Sequence, residues 1–210
     1  MHKDSSGHES VIGPGGVQYM TAGRGLIHAE VSSKDFKRKG GDLEILQLWL
    51  NLPAAKKMII PNYIGLQKDE IPSFDLAKGK IKVQQLFGEW NGINGAFEGT
   101  FPLTMSTIYL EKGGFFSKEV PADENIFFYI VRGELNVNGE EIMFRNLVEF
   151  GNSGKLIEVE AVDDSILILG HAKPFNEPMV AQGPFVMNTQ QQIYEAYQDY
   201  QAGKFGTWAD

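Results

Sequence analysis

The chain has 210 residues, of which 42% are hydrophobic and 22% are charged, a composition typical of a globular protein that buries a core. Its formal net charge of -8 argues against direct binding to nucleic acid, which depends largely on lysine and arginine contacts with phosphates. The absence of cysteine excludes disulfides, thiolate metal sites and cysteine nucleophiles. Because the first ten residues are polar and the apolar runs are strand-sized, the sequence predicts a cytoplasmic location, with neither a signal peptide nor a membrane span.

Short apolar segments in the first half alternate with Gly, Pro, Asn and Asp, a pattern typical of an all-β sandwich or barrel. The GPGG sequence at 13–16 predicts a turn, and residues 17–23 then predict a short strand. The segment LEILQLWLNLP at 43–53 alternates leucines with residues that include Trp49, so both faces of an extended chain are largely apolar. We therefore predict an interior strand at 43–53.

The second half repeats the pattern of short apolar segments separated by turn residues, after a polar connection at 62–80. Residues 125–144 predict two strand-like runs joined by a tight turn at the Asn-Gly pair of 138–139, since both residues tolerate a positive φ. Residues 155–172 predict a further pair of strands about the Asp-Asp pair at 163–164. The sequence thus predicts two similar β units in tandem.

A helix is predicted only near the end of the chain. Thr189 and Gln192 have the spacing of a capping box, in which each side chain bonds to a free amide of the first turn. Gly203 is a typical helix stop. The residues between them include three at helical spacing that predict a packing face: Ile193, Tyr197 and Tyr200.

One histidine of the four lies two residues before a glutamate, in the segment TAGRGLIHAE at 21–30. Because residues two apart on a strand point to the same side of the sheet, His28 and Glu30 can direct an imidazole and a carboxylate at one cation inside a barrel. Two histidines and one carboxylate commonly hold non-haem iron, and zinc or nickel accepts similar ligands. The same spacing also arises by chance, so the pair alone predicts at most half of a metal site.

Four segments resemble the pirin family, in the order found there and across nearly the whole chain: GPGGVQYMTAGRGLIHAE at 13–30, LQLWLNLP at 46–53, DEIP at 69–72 and GPFVMNT at 183–189. The resemblance implies two tandem cupin barrels, which are double-stranded β-helices, and a short C-terminal helix. We accordingly expect an N-terminal cupin domain at 1–74, a C-terminal cupin domain at 75–180 and a helical tail at 181–210.

The resemblance also implies one iron-type site in the first barrel, held by three histidines and one glutamate. His28 and Glu30 match half of that ligand set. The other half, a His-x-His strand, belongs upstream of the part that matches, so we expect the first barrel to be incomplete. Fe(II) is the expected ion, and Ni, Mn, Cu and Zn are alternatives. A further alternative is that this chain binds no metal. His2 could replace a missing ligand, but a fraying terminus is the competing interpretation.

The second barrel is expected to be metal-free, since no histidine occurs from Gly113 to Glu134. The acidic residues of this stretch are predicted to be solvated charges, without a ring nitrogen beside them: Glu119, Asp123 and Glu124. His8 is predicted to lie in an exposed turn, and His171 to be a structural or surface histidine.

By resemblance, the implied activity is that of an oxidoreductase, a metal-dependent dioxygenase of the quercetin type. A flavonol and dioxygen would meet at the open positions of the metal, and Glu30 would accept the proton of the substrate hydroxyl. The alternatives are a non-catalytic metal-sensing or scaffold cupin that binds a protein partner, and a degenerate barrel without metal. The acidic composition fits a protein partner better than DNA, and no membrane partner is expected.

Overall fold

The computed structural model describes residues 1–151 and 153–207. They form two compact units, one built from 1–68 together with the C-terminal segment from Phe175, and the other from 69–174. Strands are the main regular structure of the described chain, so the predicted all-β class is confirmed. Within the described ranges, no helix has the length and apolar character needed to cross a membrane.

The described residues of the first unit form short strands and two α-helices. Its strands before residue 69 are β1 (His2–Asp4), β2 (Glu9–Ser10), β3 (Val17–Thr21), β4 (His28–Glu30) and β5 (Asn62–Leu66). Strands β2, β1 and β4 form a three-stranded antiparallel sheet in that order, and β3 pairs with β5. A short helix, α1 (Lys34–Lys39), and a 3-10 turn (Ala54–Lys56) lie between β4 and β5.

The segment 43–53 is not a strand, so the prediction of an interior strand there is wrong. No described strand pairs with it. Its apolar side chains face solvent, with Ile45 65% and Trp49 58% exposed. Alternating apolar residues form an interior strand only where neighbouring strands pair with the backbone and other layers cover both faces. The described residues of this unit supply no such neighbour.

The described residues of the second unit form twelve strands. They are β6 (Ser73–Leu76), β7 (Ile81–Phe87), β8 (Glu89–Trp90), β9 (Ile93–Asn94), β10 (Thr104–Leu110), β11 (Phe115–Glu119), β12 (Asn125–Arg132), β13 (Glu134–Val137), β14 (Glu140–Met143), β15 (Leu147–Val148), β16 (Leu156–Ala161) and β17 (Ser165–Ala172). Two 3-10 turns flank β6, Lys68–Glu70 before it and Ala77–Gly79 after it.

These strands form two main antiparallel sheets. The larger has the order β15-β12-β17-β10-β7-β6, and the smaller has the order β11-β16-β13-β14. The predicted tight turn at 138–139 is confirmed, since Asn138 and Gly139 have φ of 51° and 89° between β13 and β14. The strands predicted about 163–164 exist as β16 and β17, but they enter different sheets and do not pair with each other.

The core of the second unit lies between the two sheets. Alternate residues of the strands face it, as in β16, where every second side chain is buried. Fully buried members come from both sheets and include Phe128, Ile130, Leu135 and Leu167. Burying side chains of this size contributes roughly 1.5–3 kcal/mol each.

The C-terminal segment belongs to the first unit. Strands β18 (Val180–Gln182) and β19 (Phe185–Met187) form a hairpin that leads into helix α2 (Gln190–Gln201). The predicted capping box is confirmed: the Thr189 side chain accepts from the Gln192 amide, and the Gln192 side chain accepts from the Thr189 amide. Ile193 is the buried anchor of the helix, whereas Tyr200 is 52% exposed.

Candidate metal centre

Four ionisable or metal-ligating side chains share one face of the β2-β1-β4 sheet. In the register of β1 with β4, His2 lies opposite Glu30, and Asp4 lies opposite His28. Residues directly opposite each other in an antiparallel pair point to the same side, as do alternate residues of one strand. The backbone therefore gathers two imidazoles and two carboxylates on a single surface.

The four side chains differ in their exposure to solvent. His28 and Glu30 are exposed, whereas His2 is 1% and Asp4 is 6% exposed. The expected enclosure of the His28–Glu30 pair inside a barrel is not what the described residues show, because both side chains are exposed on β4, an edge strand of its sheet. A ligand from solvent can therefore reach both of these side chains.

His2 is held firmly in the sheet, so the expectation of a fraying terminus is wrong. Its ring stacks on the ring of Tyr63, with centroids 3.9 Å apart and planes 9° apart, and on the His28 ring at 5.9 Å. Its Nε2 atom lies 3.0 Å from Oδ2 of Asp4. Its Nδ1 atom is buried and has no hydrogen-bond partner among the described residues.

Asp4 organises the N-terminal turn. Its Oδ1 atom accepts hydrogen bonds from the Ser6 amide at 2.9 Å, the Ser6 hydroxyl at 2.6 Å and the His8 amide at 3.2 Å. Burial acts to raise the pKa of this carboxyl group, but the hydrogen bonds from Ser6, His2 and His8 outweigh it and hold the pKa well below its usual range. Asp4 is thus a structural carboxylate that stays ionised.

We expect the Asp4→Asn variant to lose about 1.5–3 kcal/mol of its free energy of unfolding at pH 7, the range for hydrogen bonds to a charged group. Because the folded pKa is depressed, the carboxylate stabilises the protein above its ordinary value of 3.8, and this contribution is lost as the pH falls toward the folded pKa. Denaturant unfolding at pH 7 and pH 3 measures both effects. The gap between the variant and the parent should narrow at pH 3.

The exposed Asp42 gives the matched control, since Asp42→Asn removes the same charge. A loss as large in Asp42→Asn as in Asp4→Asn would contradict a specific role for the hydrogen bonds of Asp4. A difference in free energy of unfolding between Asp4→Asn and the parent that does not change with pH would contradict it as well.

Glu30 belongs to a chain of polar side chains that sequence reasoning missed. Gln18 Nε2 donates to Oε1 of Glu30, and the Tyr63 hydroxyl donates to Oε1 of Gln18 at 3.1 Å. The Tyr63 hydroxyl also lies 2.5 Å from the Ser10 hydroxyl. The pairing of β3 with β5 brings Gln18 and Tyr63 together across 45 residues, which no local pattern could indicate.

Two glycines shape the turn before β4. Gly23 has φ +51°, and a Cβ atom there would collide with the carbonyl oxygen of Ile59. Gly25 has φ +109°, and a Cβ atom there would collide with the ring of Phe205. These positive φ angles favour glycine, so the turn leads into β4 with the backbone packed against two other segments.

The other two histidines differ in their surroundings. His8 is partly exposed and interacts with Asp4 and Ser6, which agrees with its prediction as a turn residue. His171 is 8% exposed, and its Nδ1 atom lies 2.5 Å from Oε2 of Glu124. The prediction that Glu124 lacks a ring nitrogen beside it is therefore wrong.

The available donors fit a metal centre in part. His28 and Glu30 offer an imidazole and a carboxylate on one face, the donor types that iron, nickel and zinc accept. Nε2 of His2 and the Asp4 carboxylate are engaged with each other. Across the described residues, no group of three or more His, Asp or Glu side chains is arranged to hold a metal ion. The described chain thus presents two candidate ligands and not a complete set.

The fold is that of a bicupin protein, and comparison with protein families agrees. The pirin family model matches residues 1–50, and the model of the pirin C-terminal cupin domain matches residues 105–206. A pirin-like protein of Caulobacter vibrioides is 35% identical over 97% of this chain and 71% of its own length. The chain belongs to the pirin family.

Solved structures support the same assignment. A quercetin 2,3-dioxygenase from Acinetobacter baumannii has a TM-score of 0.93 and 34% identity, covering 98% of this chain and 72% of that one. A bacterial pirin from Escherichia coli, YhhW, in complex with nickel(II), has a TM-score of 0.57 and 16% identity, covering 82% and 67%. The second similarity shows the fold alone.

Proposed function

We propose that the protein is a metal-dependent dioxygenase that acts on a flavonol such as quercetin, with His28 and Glu30 as two ligands of the metal. The observation that carries the proposal is the placement of these two side chains on one solvent-accessible face of β4. The similarity to the quercetin 2,3-dioxygenase of Acinetobacter baumannii supports the substrate class. Fe(II) is the proposed ion, nickel(II) is the ion named for the Escherichia coli pirin, and the cytoplasm is the proposed location.

The roles of the chain's own residues follow from their contacts. When bound, the metal would supply open positions at which the flavonol and dioxygen meet. His28 would donate a ring nitrogen, and its stacking on His2 limits the orientation of the ring. Glu30 would accept the proton of the flavonol hydroxyl, as a carboxylate within reach of that group can. Gln18 would hold the Glu30 carboxylate in place, because its amide donates to one carboxylate oxygen.

We expect Gln18→Leu to lower kcat for quercetin oxidation roughly tenfold, since loss of the positioning hydrogen bond lets the Glu30 carboxylate rotate. Initial rates of oxygen consumption measure the effect. Gln191→Leu, on the exposed face of α2, is the control and should leave kcat unchanged. Equal kcat values for Gln18→Leu and the parent would contradict the positioning role.

The experiment that tests the proposed function is metal analysis of the purified full chain, followed by oxygen consumption with quercetin. The proposal predicts bound metal and quercetin-dependent oxygen uptake that stops when a chelator removes the metal. Bound metal without turnover would replace the proposal with a metal-sensing role. If the protein shows neither bound metal nor turnover, a scaffold role remains.

A non-catalytic cupin that binds a protein partner is the second candidate, and one observation favours it. The segment 43–53 exposes large apolar side chains, including Ile45 and Trp49, on a chain of net charge -8. Exposed apolar surface of this kind commonly marks interaction sites. The metal and turnover assays above separate the two candidates, since a scaffold role requires neither.

A further inference from the structure

The second unit contains a polar cluster, formed by Glu124, His171 and Lys118, that the proposed function does not use. His171 continues the inward-facing row of β17, in which Leu167 and Leu169 are core residues. Its cross-strand neighbours, Thr104 and Ile126, lie on the same face. The imidazole therefore occupies one end of the space between the two sheets.

The His171 ring presents an unused hydrogen-bond acceptor. Nδ1 lies 2.5 Å from Oε2 of Glu124 and donates to it, because an ionised carboxylate can only accept. Burial lowers the pKa of His171 and the charge of Lys118 adds to this, while the bond to Glu124 opposes both. A neutral ring with its proton on Nδ1 leaves Nε2 as an acceptor. Nε2 is buried without a partner among the described residues, which is uncommon in folded proteins.

Lys118 brings a positive charge to the same place. It follows Phe116 on the core-facing side of β11 and lies opposite the buried Ile157 of β16. Its Nζ atom lies over the ring of Trp90, 4.2 Å from the centroid. Burial lowers the pKa of this ammonium group, and the negative charge of Glu124 opposes the effect. A partly desolvated cation therefore faces the end of the core that holds the His171 acceptor.

We propose that this cluster binds a small 2-hydroxy carboxylic acid. The ligand's hydroxyl group would donate to Nε2 of His171, and its carboxylate would pair with the ammonium of Lys118. A 2-hydroxy acid carries a donor and a negative charge on adjacent carbons, which matches an acceptor and a cation that face the same end of the core. A divalent cation fits less well, since the charge of Lys118 offsets that of Glu124 and the described residues hold no group of three His, Asp or Glu side chains arranged around a metal. This inference does not depend on the proposed oxidation of a flavonol, which uses residues of the other unit.

The test is isothermal titration of the full chain with lactate, and with propanoate as the analogue that lacks the hydroxyl group. We expect saturable binding of one lactate per chain, and propanoate binding at least about tenfold weaker, because it leaves Nε2 unpaired. His171→Asn keeps an amide that can donate to Glu124, but the shorter side chain places no acceptor atom at the position of Nε2. In this variant lactate should bind no better than propanoate.

Lys118→Met should weaken lactate binding at least about tenfold, whereas Lys173→Met is the matched control. Lys173 pairs with Asp123 at 2.8 Å on the exposed surface, so this variant removes the same charge outside the core. Circular dichroism verifies that each variant retains its β structure. The inference is overturned if the folded parent shows no saturable binding of lactate or glycolate, or if His171→Asn and Lys118→Met both bind lactate as tightly as the parent does. Zinc binding lost in His171→Asn, without lactate binding to the parent, would also overturn it.

Discussion

Replacement of Glu30 by glutamine is expected to reduce the rate of quercetin oxidation by about 100-fold or more. The estimate rests on the contribution of a positioned general base, roughly 10²–10⁴ in rate. Glutamine keeps the size of the side chain and can still bond to Gln18, but it carries no charge and cannot accept a proton from the substrate. Initial rates of oxygen consumption with metal-loaded protein measure the effect. Metal content is determined in parallel, because Glu30 is also a proposed ligand.

The neighbouring strand supplies a matched control for this experiment. Glu9 is exposed on β2 and lies opposite Lys3, so it points away from the face that carries Glu30. Glu9→Gln removes the same charge from the same sheet and should leave the rate within about twofold, since surface changes away from special features have small effects. An unchanged rate in Glu30→Gln would remove Glu30 from the proposed mechanism.

Replacement of Phe128 by alanine is expected to lower the free energy of unfolding of the second unit by about 3–5 kcal/mol. Phe128 is fully buried between the two sheets, and its ring packs against Phe150 with centroids 5.6 Å apart. Its removal eliminates apolar burial and leaves a cavity that the surrounding strands fill only in part. Amide hydrogen exchange of β12 and β17 reports the stability of this unit separately from the other.

Phe115→Ala provides the control for the core prediction. Phe115 is 50% exposed on β11, with its side chain on the face opposite to Phe116, so its removal should cost within about 0.5 kcal/mol. If the slowest-exchanging amides of β12 were protected equally in Phe128→Ala and Phe115→Ala, the core would not lie where the structure places it.

The features that the sequence predicted well are local ones. The hairpin turn at Asn138 and Gly139 needs only two adjacent residues that accept a positive φ. The N-terminus of α2 needs only Thr189 and Gln192 three positions apart. In both cases the residues that determine the structure are also the residues that adopt it, so the pattern was sufficient.

The features that were missed depend on partners distant in the sequence. The strands β16 and β17 follow each other closely, yet each pairs within a different sheet, and their separation depends on the fold of the whole unit. The apolar alternation at 43–53 predicted an interior strand, but burial requires neighbours that the described residues do not provide. An alternating pattern describes what a segment could bury and not what covers it.

The candidate site was predictable in part for the same reason. His28 and Glu30 share a face because they lie two positions apart on one strand, which the sequence alone can indicate. The approach of His2 to Glu30 depends on the register of β1 with β4, and the contact of Gln18 with Glu30 depends on strand packing. The pairing of His171 with Glu124 spans 47 residues and was likewise out of reach of a local motif.

The most direct test of the central claim is a crystal structure of the full chain grown with Fe(II) or nickel(II), with anomalous scattering collected at the metal absorption edge. We predict one anomalous peak beside β4, with the ion about 2.0–2.2 Å from a ring nitrogen of His28 and from a carboxylate oxygen of Glu30. A metal-loaded crystal whose peak lies elsewhere, or that shows no peak within reach of these two side chains, would contradict the account.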